Sequence, residues 1–335
     1  MKQYPPHQPQ IFASQKNTLK KISTSIGLTL IIYFMLQTLI SFTFRFTIRC
    51  TVQFAENHSN SFIRPLLSFL VSDTGIWFIN LFVGAVTGIT AIFLLSKLLH
   101  FRLRDLYQTP FQGAAYAIKG TVLFLDANLI TSSITSILLA ILTSILGHAP
   151  AAPDFSVSYQ QPFAVAFYLL YAVIVAPIVE ETLFRGLILR SLQHFGNLFA
   201  ITVSSLLFGL WHGNLEQAIP IVLSSFLFGI IAVRSNSLIP SIIAHSMNNL
   251  IVFGFGLLFD FLSPTPANII YIIIVFSCVL AGVLILALSF SSLKVSDFNH
   301  SVLSTKQRFG TLFSAPGMLM FLVVLALECG LTLLP

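Results

Sequence analysis

The sequence has few charged residues. Only 8% of its 335 residues are Asp, Glu, Lys or Arg, whereas 56% are hydrophobic. A soluble domain usually carries about 25% charged residues, so this composition excludes an ordinary soluble enzyme and indicates an integral membrane protein. The net charge of +6 is small and spread along the chain, and it gives no indication of nucleic-acid binding.

Several chemical signatures are also missing. The three cysteines, Cys50, Cys278 and Cys329, form no pattern, so we expect free thiols and no disulfide framework. The helical HExxH spacing of many zinc proteases is absent, as is a convincing Ser/His/Asp set. No small-residue cleavage site follows the first apolar run, which predicts an uncleaved signal anchor.

Long apolar runs are plentiful. Each is nearly continuous, which is typical of transmembrane helices, and a span needs about 20 residues. The sequence therefore predicts an all-α, polytopic transmembrane bundle of about eight or nine spans. The nine candidate segments are Ile22–Phe44, Gly75–Ser96, Ala114–Leu146, Phe163–Leu192, Asn197–Gly213, Gln217–Val233, Ser237–Phe259, Ala267–Ser292 and Ala315–Leu334.

Lysines and arginines alternate between the loops. They lie before the first segment, then after the second, fourth, sixth and eighth, and the loops between these are mostly free of them. By the positive-inside rule this pattern predicts a cytoplasmic amino terminus. One loop disagrees, because Arg45, Arg49 and Arg64 follow the first segment on the predicted outer side.

The fourth segment contains three charged residues, Glu180, Glu181 and Arg185. A charged side chain at bilayer depth costs at least about 2.5 kcal/mol, so these groups need partners or a water-filled cavity. A structural ion pair is one explanation for them. Two later apolar segments supply other candidate partners, namely His212 in one and His245 with Asn249 in the other.

Helix geometry predicts that these groups lie at one depth. Glu180 lies about 18 Å along its helix from the turn that follows, and His212 lies about 21 Å beyond that turn. His245 and Asn249 lie about 13 and 20 Å from the turn before them. Glu181 and Arg185 are four residues apart, as are His245 and Asn249, so each pair shares one helix face.

These residue types permit hydrolysis. A carboxylate beside a neutral imidazole can take a proton from water and make it a nucleophile. His245 and Asn249 could donate hydrogen bonds to an oxyanion. Glu180, His212 and His245 also match the ligand types of a catalytic zinc site, so a divalent metal such as zinc is permitted but not required.

Three motifs occur in order, each in its own apolar segment: Glu180-Glu181-x-x-x-Arg185, Phe208-x-x-x-His212 and His245-x-x-x-Asn249. Together they resemble the CPBP intramembrane proteases, a family that includes the eukaryotic CAAX prenyl endopeptidase and the bacterial Abi-type proteins. The resemblance implies a glutamic or metallo-endopeptidase in which Glu180 and His212 activate water while His245 and Asn249 stabilise the oxyanion. It also implies a membrane-associated protein or peptide substrate and a bacterial inner (plasma) membrane location.

On this reading the chain divides into four parts: an amino-terminal tail (1–21), amino-terminal transmembrane helices (22–160), a CAAX-protease-like core (161–262) and carboxyl-terminal transmembrane helices (263–335). Two other functions stay open. One is a non-proteolytic immunity or scaffold protein of the same fold, and the other is a proton- or ion-coupled transporter. In the third segment, Lys119 and Asp126 share a face and are interpreted as a snorkelling lysine and a packed aspartate.

Overall fold

The computed structural model describes residues 8–57, 64–108, 113–151, 156–296 and 301–334. Within these ranges the protein is helical and contains no strand, so the prediction of an all-α polytopic bundle is confirmed. The first half has four helices and one short 3₁₀ turn, Leu103–Tyr107. The helices are α1 (Gln8–Asn57), α2 (Arg64–Val71), α3 (Asp73–Leu98) and α4 (Gly113–Leu146).

The second half begins with a continuous helical run, α5 (Pro162–Phe195), that carries the acidic motif. Its bonding is not uniformly α-helical, because the stretches Leu170–Val175 and Thr182–Leu189 are π-helical. The helices that follow are α6 (Asn197–Trp211), α7 (Leu215–Ser235), α8 (Ile239–Phe261), α9 (Pro264–Leu293), α10 (Thr305–Phe313) and α11 (Pro316–Leu331).

In the described ranges, seven helices are long and apolar enough to cross a membrane. An eighth span is reached if α10 and α11, which meet at a bend of 70°, are counted as one. The fifth apolar segment of the sequence forms α6, a helix of 15 residues, which is shorter than the others. The protein is therefore an integral membrane protein with seven or eight spans of sufficient length.

The first helix is much longer than its apolar run. The sequence predicted a span over Ile22–Phe44 after a polar tail, but α1 contains 50 residues from Gln8 to Asn57. At about 1.5 Å per residue it exceeds the ~30 Å hydrocarbon core on length alone. Residues 10–26 contain neither glycine nor proline, so nothing in the polar stretch stops the helix.

The motif-bearing half of α5 lies at the centre of the bundle. Every side chain from Leu183 to Leu189 is fully buried, and this stretch joins the main hydrophobic core. Helices α3, α6 and α8 pack around α5, whereas α4 packs on α7 and α8, and α9 lies at the outside of the bundle with few buried residues. A central position of this kind shields the charged motif from lipid.

Candidate active site

The core of the site is an ion pair inside α5. Arg185 Nη1 lies 3.1 Å from Glu181 Oε1, and both side chains are fully buried. The four-residue spacing places the two groups on one face, as the sequence predicted. Because each charge satisfies the other, neither is left alone in an apolar environment, where an unpaired charge would be very costly.

Two aromatic rings and a carbonyl complete the surroundings of Arg185. The guanidinium carbon lies 4.3 Å from the ring centre of Phe208 and 5.4 Å from that of Phe228. Nη2 donates a hydrogen bond of 3.2 Å to the carbonyl oxygen of Ser225. Helices α6 and α7 thus hold the cation by ring faces and backbone, which fixes Glu181 in turn.

His245, on α8, lies between the two adjacent acids. Its Nδ1 is 3.1 Å from Glu181 Oε1, and its Nε2 is 3.7 Å from Glu180 Oε2. The ring of Phe228 stacks on the imidazole at 5.2 Å with an interplanar angle of 23°. Glu181 Oε1 therefore accepts a hydrogen bond from His245 and forms an ion pair with Arg185, so it orients the imidazole and has little freedom of its own.

Glu180 differs from its neighbour. Its side chain is 18% exposed, whereas that of Glu181 is 0% exposed. The distance of 3.7 Å to His245 is too long for a normal hydrogen bond. Glu180 is thus the less buried and less tightly paired of the two acids, which suits a proton acceptor for water.

His212 ends helix α6. The following residue, Gly213, has a φ of +68°, a conformation that favours glycine and terminates the helix at the histidine. His212 Nδ1 lies 2.9 Å from the carbonyl oxygen of Phe208. Since only a protonated nitrogen can donate to a carbonyl, this contact assigns the proton to Nδ1 and leaves the Nε2 lone pair free.

The ring of Phe208 joins the two histidines. It makes edge contacts with His212 at 5.2 Å and with His245 at 5.8 Å between ring centres. Phe208 and His212 are four residues apart and so share a helix face, and the contact with His245 brings a second helix to the same ring. The three motifs therefore meet around one phenyl ring, at the depth of the Glu181–Arg185 pair.

Asn249 has a structural partner. Its Nδ2 donates a hydrogen bond of 2.8 Å to the carbonyl oxygen of Ala172 in α5. In the π-helical stretch, the donor for this carbonyl would come five residues later, from Pro177, which has no N–H. Asn249 supplies the missing donor. Its Oδ1 accepts a hydrogen bond of 3.2 Å from Nδ2 of the buried Asn248.

The residues considered for a metal do not form a ligand cluster. Among the residues that the structure describes, no group of three His, Cys, Asp or Glu side chains is placed to hold one ion. Glu180 and His245 lie together, but Nδ1 of His245 and Nδ1 of His212 are each taken by a neighbouring oxygen. Zinc binding through Glu180, His212 and His245 stays a prediction.

Sequence reasoning missed several contributors to the site. Nothing in the sequence marks Phe228 or Ser225 of α7 as part of the site, because the sequence does not show whether a phenylalanine faces lipid or an arginine. Tyr33 of α1 stacks on Trp211, the residue before His212, with ring centres 4.3 Å apart. Nothing in the sequence near Tyr33 indicates this contact either.

Comparison with known proteins places this geometry in context. Residues 162–251 match the model of a family described as Type II CAAX prenyl endopeptidase Rce1-like. A Bacillus subtilis (strain 168) protein named "Putative membrane peptidase YdiL" is 33% identical over 90 residues, which is 27% of this chain and 37% of that protein. The chain thus spans well under half of that relative's length, and no solved structure was found to match.

The resemblance to the CPBP family is confirmed. The matched range, residues 162–251, contains all six predicted site residues and lies within α5 to α8. We call this range the CPBP-like segment. Helices α1 to α4 and α9 to α11 lie outside it.

Proposed function

We propose that this protein is an intramembrane endopeptidase that hydrolyses a peptide bond of a membrane-associated protein or peptide. The observation that supports it most is the different placement of the two adjacent acids. Glu181 is fully buried and paired with Arg185 and His245, whereas Glu180 is partly exposed (18%) beside the same imidazole. A site with one fixed acid and one free acid suits water activation better than a structural ion pair alone does.

The proposed reaction begins with a water held between Glu180 and Nε2 of His212. Glu180 takes a proton as the water oxygen attacks the peptide carbonyl carbon, and a tetrahedral oxyanion forms. The C–N bond then breaks, and the proton held by Glu180 passes to the leaving nitrogen. The free lone pair that the Phe208 contact leaves on His212 is suited to orienting this water.

His245 and Asn249 are the proposed oxyanion donors. Asn249 uses one amide proton for Ala172 and keeps a second, so the hydrogen bond to that carbonyl aims the amide without consuming it. His245 Nδ1 uses its proton for Glu181 Oε1, so Nε2 can donate to a substrate oxygen only when the ring carries a proton on both nitrogens. The proposal therefore uses the cationic form of His245, whose Nε2 lies 3.7 Å from Glu180. Such donors often tighten their geometry only when substrate is bound.

The proposal extends to the setting of the enzyme. We place it in a bacterial inner membrane with its amino terminus in the cytoplasm, on the distribution of lysine and arginine among the loops. Because the helices of the protein are long and apolar enough to span the bilayer, a substrate would reach the site within the membrane or at its surface. The relative's name, a membrane peptidase, is consistent with this.

The decisive experiment compares the membrane proteomes of cells that express the wild type, Glu180→Gln or Glu216→Gln. Glu216 is an exposed acid in the first turn of α7 and serves as the matched control. We expect specific peptides to accumulate uncut only with Glu180→Gln, and purified enzyme to lose about 10²–10⁴-fold of its rate on them. Equal cleavage by Glu180→Gln and wild type would refute the proposal and favour a non-proteolytic scaffold.

A further inference from the structure

A basic cavity lies at one end of the bundle, away from the candidate active site. Its volume is about 580 Å³, within the range of about 300–1,000 Å³ that is typical of small-molecule sites. Its lining combines two arginines and a histidine with three apolar side chains, namely Arg102, Arg190 and His100 with Leu99, Phe101 and Leu106. Apart from Arg190, these residues lie outside the CPBP-like segment. Arg190 is ten residues beyond Glu180 on α5, about 15 Å of helix, so the cavity is separate from the proposed catalytic site.

The ends of three spanning helices meet around this cavity. Helix α3 ends at Leu98, just before the lining residues, and α5 ends at Phe195, shortly after Arg190. The turn between α7 and α8 is joined to the lining by a backbone hydrogen bond of 3.2 Å from the Leu238 N–H to the Leu106 carbonyl. Because the ends of apolar spans lie near the lipid headgroups, the cavity lies at that level as well.

The positive charge of Arg190 has no acidic partner in the described part of the chain. Its half-buried guanidinium donates hydrogen bonds to neutral oxygens, namely Asn236 Oδ1 at 2.7 Å, the Ala232 carbonyl at 3.4 Å and Gln193 Oε1 at 3.5 Å. No described carboxylate lies within 4 Å of Arg190 or of Arg102. Asp105, the acid in the lining, lies 3.6 Å from Arg104 instead. The cavity therefore contains two cations that no described acid pairs with.

We propose that this cavity binds the phosphate group of an anionic ligand, and that an anionic membrane lipid supplies that group. The planar fork of an arginine matches two phosphate oxygens and holds them by charge-assisted hydrogen bonds. The apolar side chains beside the arginines suit the glycerol and upper acyl chain of a lipid, which a free phosphate lacks. Basic pockets between the cytoplasmic ends of transmembrane helices bind anionic headgroups in this way, and the loop lysines and arginines predict that this end faces the cytoplasm. A bound phosphate would join the loop after α3 to α5, the helix that carries the acidic motif.

The test measures lipid binding to the purified protein in uncharged dodecyl maltoside micelles. The probe is phosphatidylglycerol with a fluorophore on one acyl chain, and fluorescence anisotropy gives its Kd. Arg190→Gln should raise the Kd at least about tenfold, because charge-assisted hydrogen bonds to the phosphate are lost. Arg234→Gln is the matched control, since Arg234 is an exposed arginine at the end of α7 that bonds to the Ser292 carbonyl at 2.8 Å and lies outside the cavity. The control should change the Kd less than about threefold.

A second variant keeps the test decisive if Arg190→Gln folds poorly. Arg102 is exposed, so Arg102→Gln should keep the Tm of the wild type and still raise the Kd about threefold to tenfold. A Kd equal to that of the wild type, in whichever of the two variants folds, would overturn the proposal.

Two further probes identify the source of the phosphate. Unlabelled phosphatidylglycerol should displace the probe from the wild type, whereas inorganic phosphate at millimolar concentration should not. Acyl-labelled phosphatidylcholine, whose headgroup has no net charge, should bind at least about fivefold more weakly. Displacement by inorganic phosphate as readily as by the lipid would overturn the assignment to a lipid, and equal binding of the two labelled lipids would overturn anion recognition. No readout depends on peptide cleavage, so the outcome is independent of the proposed endopeptidase.

Discussion

Two helix–helix contacts in this protein carry acids at membrane depth, and they are built differently. Between α5 and α8, Glu181 pairs with Arg185 and His245, each at 3.1 Å. Between α4 and α9, Asp126 is only 8% exposed, and its Oδ1 has no hydrogen-bond partner in the described ranges. In the first contact the buried acid lies beside an arginine and a histidine, although Glu181 Oε2 and Arg185 Nε also lack a hydrogen-bond partner in the described ranges. The second contact contains a single acid.

The α4–α9 contact is organised by shape. A side-chain carbon at Gly282 of α9 would collide with the carboxyl group of Asp126, so glycine is what lets the aspartate fit. Near one end of the same contact, Lys119 reaches Ser292 Oγ at 3.2 Å. This agrees with the interpretation of Lys119 and Asp126 as packing residues. An acid at membrane depth thus indicates a functional site only when complementary groups from other helices converge on it.

The largest effect should come from breaking the network. Arg185→Leu leaves Glu181 buried without its cation, so we expect a loss of about 3–5 kcal/mol in the free energy of unfolding. The measurement is unfolding by sodium dodecyl sulfate in micelles, followed by tryptophan fluorescence. Arg104→Leu is the control, because its ion pair with Asp105 has side chains that are 82% and 53% exposed.

An exposed pair contributes about 0–1 kcal/mol, so Arg104→Leu should scarcely change the unfolding midpoint. If Arg185→Leu were equally mild, the pair would add nothing to stability. The α5–α8 and α4–α9 contacts would then differ in the arrangement of their polar groups but not in what those groups add to stability.

A smaller effect is expected for an uncharged member of the α5–α8 contact. Asn249→Ala should cost about 1–3 kcal/mol, because the Ala172 carbonyl loses its donor in an apolar setting. Pro177→Ala would restore a backbone N–H at the position that the π-helical pattern leaves empty. The double variant should therefore lose less stability than Asn249→Ala does alone, which the same unfolding assay measures.

The control for this rescue is Pro177→Ala combined with Arg185→Leu, where no recovery is expected, since that loss is electrostatic. Equal losses for Asn249→Ala with and without Pro177→Ala would mean that the asparagine does not replace the proline's missing donor. Asn249 would then be available to an oxyanion with both amide protons.

The sequence predicted much of this site because its signals are local. The i, i+4 spacing of Glu181 and Arg185 is enough to pair them, and counting residues from the turns placed Glu180 and His245 at one depth, where they lie 3.7 Å apart. The length of α1 and the bond from Asn249 to Ala172 were not predicted. Both depend on backbone bonding beyond the apolar runs, and hydropathy does not report on that.

The contacts between aromatic rings could not be predicted from the sequence, for a related reason. The chain has 33 phenylalanines, and Phe228 on His245 differs from a lipid-facing one only by rotation about its helix. Likewise Tyr33 and Trp211 are 178 residues apart in the sequence, and their rings meet only where α1 passes the end of α6. Such contacts follow from how helices assemble, which apolar composition leaves undetermined.

The smallest effect should be that of Asp126→Asn. The amide has nearly the same shape as the carboxyl group, and no ion pair is lost, so the free energy of unfolding should change by less than about 1 kcal/mol. The same unfolding assay measures it, with Asp105→Asn on the exposed 3₁₀ turn as the control. A loss near that of Arg185→Leu would mean that Asp126 is held by a strong partner, and the contrast between the two contacts would fail.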